Sequence, residues 1–353
     1  HQLYSPQYDQ PKKPTPMFKC CLPNQQSEKA PLVKDSQHLA LNSQLRGESK
    51  LILLGAGEGG KSTWIKQMRL IYQNGFTPQE KQHYLQIISQ NLVKSAQLLV
   101  NSYGGSQVDA VFAKIKQLQI KSAFNQELVN LLKEIHAIPE FRQHATQQYT
   151  IDNYLYFIDN LDRMLAEPLT NEDLLKARVK THVETPFSCV FNNVKYIFYD
   201  VAGQREARNT WGGRLQEVNC IVFFASAVEF DQVLAEDGRT NRMRESVELF
   251  AQLVNGAQLQ QKPVVLCLNK MDLLAEKLQR VQFKEHFPDF QGQNNAEEVS
   301  EFIKQMYQQA NKVPTRQRAI SIFKTVVTDT ELIKHVCHAV LKFSVEAQLK
   351  SIG

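Results

Sequence analysis

"LILLGAGEGGKSTWIKQM", residues 51–68, decides the fold. A continuous apolar run, Leu51 to Leu54, stops at a glycine-rich loop, and helical spacing follows from Lys61 to Tyr72. Such a run predicts a strand buried on both faces of a parallel sheet. Gly55, Gly60, Lys61 and Ser62 fit G-x-x-x-x-G-K-[ST], a loop whose backbone amides wrap a polyphosphate. Glu58, Gly59, Gly60, Lys61, Ser62 and Thr63 are therefore candidate nucleotide contacts. Lys61 would reach the β- and γ-phosphates, and the Ser62 hydroxyl would ligate Mg²⁺. The positive end of the following helix faces the same anions. The pattern, with a strand before it and a helix after it, is a strong signal for a nucleoside triphosphate and is silent on the base.

Outward from this loop the chain changes character twice. Thr77-Pro78-Gln79-Glu80 writes a helix start, with Thr77 as N-cap, Pro78 as first helical residue and Glu80 completing a capping box. Helical patterns then run from about 77 to 173 with no strand among them, punctuated by Gly104-Gly105 and Pro139. From about 186, "YIFYD" (196–200), "CIVFFAS" (220–226), "PVVLCLN" (263–269) and "ISIFKT" (320–325) read as strands separated by helices. That alternation predicts a mostly parallel sheet with right-handed crossovers. The fold class is α/β, with an all-helical segment inserted after the first helix. The expected division is a disordered leader over 1–26, an N-terminal helix over 27–46, a nucleotide-binding domain from 47–75 and 177–353, and a helical insert over 76–176.

Three further stretches carry chemistry. "LNKMDLL", 268–274, holds N-K-x-D at a strand end, where ligands bind in such sheets. The Asp272 carboxylate can accept from both the ring N–H and the exocyclic amine of guanine, an edge that adenine does not match. Asn269 would bond the base and neighbouring loops, and the stem of Lys270 would pack on the ring. In "YDVAGQRE", 199–206, Asp200 can hold Mg²⁺ through water, the Gly203 amide can touch a γ-phosphate, and Gln204 can orient the attacking water. In "LLKARVKTHVE", 174–184, Arg178 can put positive charge on a transferring phosphoryl group, and Thr181 can complete the Mg²⁺ shell. Arg178 and Gln204 are the candidate catalytic residues.

The 353 residues carry a net charge of +5, too mild to argue for nucleic acid, and no basic stripe with interleaved aromatics occurs. No apolar run approaches the ~20 residues that a membrane span needs. Cys189, Cys220, Cys267 and Cys337 are scattered, as reduced cysteines are. Cys20 and Cys21 are adjacent, next to Lys19, and are candidates for palmitoylation.

"GAGEGGKST", "RVKT", "DVAGQR", "LAEDGRTNRMRES", "NKMD" and "TVVTDT" occur in the order found in heterotrimeric G-protein α subunits, which the chain resembles over roughly residues 36–350. The resemblance implies a Ras-like P-loop GTPase domain, a helical domain as the insert, slow hydrolysis of GTP to GDP with Mg²⁺, and switching between the two states. It implies a βγ dimer, a seven-helix receptor and effectors as partners, and peripheral attachment to the cytoplasmic face of the plasma membrane. It pairs Glu58 with Arg178, sets Leu175 at the nucleotide, and places the Val327 amide at guanine O6. Asp159-Asn160 reverses the family's Asn-Asp. Two alternatives stay open: a GTP-binding scaffold that does not hydrolyse, and a P-loop kinase or ATPase, against which Asp272 argues.

The chain departs from that family at further places. Gly59 replaces serine. His182 follows Thr181 in a loop shorter by two residues, which predicts a weak or altered response to GTPase-accelerating regulators. Ala202 replaces a glycine, at a cost of ~1–2 kcal/mol if its φ is positive and silently if not. Gly212-Gly213 follows the retained Trp211 and should weaken a helix there by ~1 kcal/mol per glycine.

Overall fold

The computed structural model describes residues 48–103, 110–147, 153–179, 185–234, 236–259, 262–314, 318 and 320–352. The expected leader and N-terminal helix, and with them Cys20 and Cys21, lie outside the described residues, as do Gly104-Gly105, Thr181 and His182.

Strand β1 (Glu48–Leu54) runs into the glycine-rich loop and helix α1 (Lys61–Tyr72). Seven helices follow: α2 (Pro78–Ser102), α3 (Ala110–Gln117), α4 (Gln126–His136), α5 (Pro139–Gln147), α6 (Tyr154–Asp159), α7 (Leu161–Ala166) and α8 (Asn171–Lys176). The chain then returns to the sheet with β2 (Thr185–Phe191) and β3 (Val194–Asp200). A 3-10 stretch, Arg205–Trp211, leads into α9 (Gly212–Glu217), β4 (Cys220–Ser226), α10 (Arg242–Asn255) and β5 (Val264–Asn269). The last elements are α11 (Met271–Lys277), α12 (Phe283–His286), α13 (Ala296–Ala310), β6 (Ile320–Lys324) and α14 (Thr330–Ile352).

The strands order as β2-β3-β1-β4-β5-β6, and every pairing is parallel except β2 with β3. Every residue of β4 and β5 is buried, as continuous apolar strands covered on both faces must be. The register sets Leu53 opposite Asp200 and Ser226 opposite Asn269. The ends of β1, β3 and β5 thus share one edge of the sheet, and each opens into a loop with chemistry to do.

Strand β2 is absent from the pattern read above. Its Pro186 argues against a central strand, and its alternating burial gives no long apolar run. It is an edge strand, joined to β3 by Asn192 and Asn193 with φ of 48° and 64°. Two successive positive φ values mark the tight turn that matches strand twist, and asparagine tolerates them.

The start of α2 forms as written. The Glu80 amide donates to the Thr77 hydroxyl at 3.2 Å, and the Thr77 amide donates to the Glu80 carboxylate at 2.8 Å. Such a cap is worth ~1 kcal/mol. Helices α2 to α8 close around a core of their own, with Ile88, Leu92, Val129, Leu132, Phe141 and Leu161 among its buried members. A second core, including Ile52, Phe223, Leu266, Phe283 and Tyr307, lies against the sheet. Helix α9 forms despite Gly212-Gly213, whose missing side chains would have met open space. Among the described residues no helix is long and apolar enough to cross a membrane. The four cysteines there are free and buried.

Candidate nucleotide site

A cleft of about 440 Å³ opens at the shared sheet edge, between the glycine-rich loop and the helices of the insert. Glu58, Gly59, Gly60, Lys61, Ser62 and Thr63 line one wall. Leu175 and Arg178 enter from the end of the insert, and Gly203 and Gln204 from the loop after β3. Asn269, Lys270, Asp272 and Val327 complete it from the loops after β5 and β6. Residues spread over 270 positions of sequence are brought to one place because four parallel strands, β1, β3, β5 and β6, deliver their loops together.

The phosphate loop is shaped by backbone that few side chains allow. Gly60 has φ of 111°, and a Cβ there would lie 2.4 Å from the Asn269 side-chain nitrogen. Lys61 is buried, and its ammonium donates to the Gly55 and Ala56 carbonyls at 2.9 and 2.7 Å. Burial pulls its pKa down to about 8, against an opposing pull from Asp200 and Glu229. The lysine therefore lies folded onto its own loop, on carbonyls that a phosphate oxygen would replace.

Gly203 is glycine for want of room. A Cβ there would fall 2.4 Å from the Gly55 carbonyl oxygen and 2.5 Å from the Lys61 ammonium. The loop after β3 thus packs directly on the phosphate loop, with Gln204 beside Gly57. Arg208 donates to the Gly203 carbonyl and pairs with Glu245, pinning the segment to α10. Ala202 does not have a positive φ, so the replacement of glycine carries no backbone strain in this conformation. Its carbonyl accepts from the Trp211 indole at 3.1 Å, and Trp211 is buried.

Asp200 is 6% exposed, and its Oδ1 has no hydrogen-bond partner. Burial raises its pKa, while Lys61 and the Ser62 hydroxyl pull the other way. An orphaned carboxylate oxygen beside a hydroxyl suits a hard cation such as Mg²⁺, which takes few protein ligands and keeps its remaining places for water and phosphate. Ser62 and Asp200 fit that ion, and Thr181 lies outside the described residues.

Asn269 ties the two ends of the cleft together. Its Nδ2 donates to the Gly59 carbonyl, and its Oδ1 accepts from the Val327 amide, each at 3.0 Å. The Val327 amide expected at guanine O6 is thus engaged by Asn269 here. Lys270 caps α11 with φ of 65°, which turns Asp272 into the cleft. Arg178 forms an ion pair with Glu58, and Arg242 braces the same glutamate at 3.3 Å while bonding Glu229 at 2.9 Å. Asp159 and Asn160 stand away from the cleft. Asp159 pairs with Arg142, and Asn160 bonds the Tyr156 carbonyl and Arg163.

Helix α1 and the insert contribute residues that sequence reasoning missed. Lys66, Asn153, Tyr156 and Lys176 line the cleft, with the Lys176 ammonium 4.8 Å from the Tyr156 ring centroid. No spacing signals them, because their role is to meet backbone and rings that are distant in sequence.

A family model described as G-protein alpha subunit matches residues 25–344. The G(o) subunit alpha of Lymnaea stagnalis is 33% identical over 328 residues, covering 88% of this chain and 92% of the relative. The G(o) subunit alpha of Caenorhabditis elegans is 32% identical over 327 residues, with the same coverage. An alpha-16 subunit from that nematode is 33% identical over 325 residues, covering 86% and 90%.

Proposed function

The chain belongs to the G-protein α-subunit family, and from that premise we propose which of its residues bind GTP, hydrolyse it and report the change. As a member it is a guanine-nucleotide-binding signalling switch and a GTPase. The observation that carries the residue assignment is the meeting, in one cleft, of a phosphate loop, an N-K-x-D loop, Arg178 and Gln204.

Asp272 selects guanine by accepting from the ring N–H and the exocyclic amine. Asn269 holds the base loop against the phosphate loop, and the Lys270 stem covers the ring. The Val327 amide shares itself between Asn269 and guanine O6, and Leu175 supplies an apolar wall. The amides of 58–63 and the Lys61 ammonium hold the phosphates. Ser62 and Thr181 would hold Mg²⁺ directly and Asp200 through water, and the ion would supply positive charge to the phosphates. Gln204 orients the attacking water. Arg178 leaves its pairing with Glu58 to place charge on the transferring oxygens. The Gly203 amide and Thr181 hold the γ-phosphate, so its loss releases both of their loops.

The partners that follow are a βγ dimer, a seven-helix receptor and effectors. Two acyl chains on Cys20 and Cys21 would hold the protein at the cytoplasmic face of the plasma membrane, since a single chain binds only marginally. Single-turnover hydrolysis of GTP and of ATP with Mg²⁺, in the wild type and in Arg178→Cys and Gln204→Leu, tests the assignment. Hydrolysis of GTP alone, lost in both variants, is expected. Equal rates in all three proteins would remove Arg178 and Gln204 from the chemistry.

A further inference from the structure

Arg178 follows the short helix α8 by two residues, so its guanidinium can be no better placed than the backbone that carries it. That backbone is gripped at four consecutive-turn carbonyls. The Lys66 ammonium, on α1, donates to the carbonyls of Leu174 at 2.8 Å and Ala177 at 2.5 Å. Asn153 donates to the Lys176 carbonyl at 3.0 Å, and Asn91, on α2, to the Arg178 carbonyl at 2.8 Å. The helix ends at Ala177, whose ψ of 119° turns the chain into extended form, so the Leu174 and Ala177 carbonyls have lost their helical partners.

Lys66 stands out among the three donors. It is 5% exposed, and its acceptors are two neutral carbonyls with the Tyr84 ring 4.9 Å away. Burial alone drags its pKa down to about 7. A buried ammonium without a carboxylate is an expensive way to cap a six-residue helix, which a neutral side chain or water could do. What an ammonium adds is three donors on one point, enough to hold two carbonyls on either side of the bend at once. Lys66 also springs from α1, the helix that begins at Lys61 and Ser62. One rigid helix therefore carries the phosphate-holding lysine at its start and, one turn later, the lysine that holds the base of Arg178.

We propose that Lys66 is a positioning residue for Arg178, setting the guanidinium in register with the phosphate loop by fixing the Leu174 and Ala177 carbonyls. The proposal rests on the role given to Arg178 above. It is tested by single-turnover GTP hydrolysis in the full chain for Arg178→Cys, Lys66→Met, Lys66→Arg and the double variant Lys66→Met/Arg178→Cys. GDP affinity and amide exchange over 174–179 are followed in parallel. Arg178→Cys should slow hydrolysis by roughly a thousandfold or more, the size expected of an arginine on a transferring phosphoryl group. Lys66→Met should lose most of that factor while keeping GDP affinity within about threefold, and amides 174–179 should exchange faster. Lys66→Arg should recover most of the rate, and the double variant should be no slower than Arg178→Cys alone. A wild-type rate in Lys66→Met, or multiplicative losses in the double variant, would overturn the proposal and leave Arg178 standing. A wild-type rate in Arg178→Cys would overturn the reading on which it rests, and the proposal with it. If Lys66→Met does not fold, Asn91→Ala, which frees the Arg178 carbonyl from a partly exposed site, takes its place in the same cycle. Additivity with Arg178→Cys there counts against the proposal.

Discussion

The Asn269 side chain joins the Gly59 carbonyl to the Val327 amide, spanning the cleft from phosphate loop to base loop with two 3.0 Å bonds. Both partners are backbone groups in loops that have no ladder to fall back on. In Asn269→Ala each is orphaned, at about 1–3 kcal/mol apiece where burial keeps water out. GDP should dissociate at least tenfold faster, measured by release of a fluorescent GDP analogue. Unchanged release would mean that the two loops hold their places without this bridge.

Asp200 presents a buried carboxylate oxygen with nothing to bond. If Mg²⁺ satisfies it through water, Asp200→Asn should blunt the response of GTP affinity to the ion. Titrating EDTA into the wild type should weaken GTP binding by a factor of ten or more, and the variant should respond weakly. The same EDTA response in both proteins would assign the carboxylate a purely structural part.

Ala202 lies in a loop that must rearrange if the chain switches, yet it carries no positive φ here. Ala202→Gly should therefore relieve nothing. It should instead lower stability by roughly 0.5–1 kcal/mol, because glycine gains freedom in the unfolded chain. Urea unfolding with GDP bound reads the sign. A gain in stability would show that alanine is strained in the GDP-bound state.

His136 is buried in the insert core, with Nε2 2.9 Å from the Tyr154 hydroxyl. Burial lowers its pKa from 6.5 to about 4, with Arg142 pulling the same way. A folded-state pKa below the unfolded value means that the unfolded chain takes up the proton first. The stability from a neutral His136 is therefore complete above pH 6.5 and is lost as pH falls toward 4, by up to about 3 kcal/mol. In His136→Gln the stability curve between pH 6.5 and 4 should be flatter than in the wild type, seen by thermal melting at fixed nucleotide. Parallel curves would assign the acid sensitivity elsewhere.

Legibility in the sequence followed the physics of each element. Strands β4 and β5 were plain because both faces are buried, which forces unbroken apolar runs such as Cys220–Ser226. Strand β2 was not, because an edge strand is free to carry Pro186 and to alternate; the Asn192-Asn193 pair was the signal that could have found it. The residues that bind by type, such as Lys61, Asp272 and Arg178, could be read because phosphate and guanine dictate the side chain. Lys66, Asn91 and Asn153 could not, because any backbone carbonyl looks like any other in a sequence and only the fold brings these donors to residues 174–178.

The helices of the insert and the sheet have separate hydrophobic cores, and the cleft runs between them. Each core can then melt on its own account, since the two share no buried side chain. A nucleotide in the cleft bonds to both and so couples two transitions into one. Calorimetry should find two overlapping endotherms without nucleotide and a single sharper one at saturating GDP, which makes the cooperativity of unfolding a property conferred by the ligand.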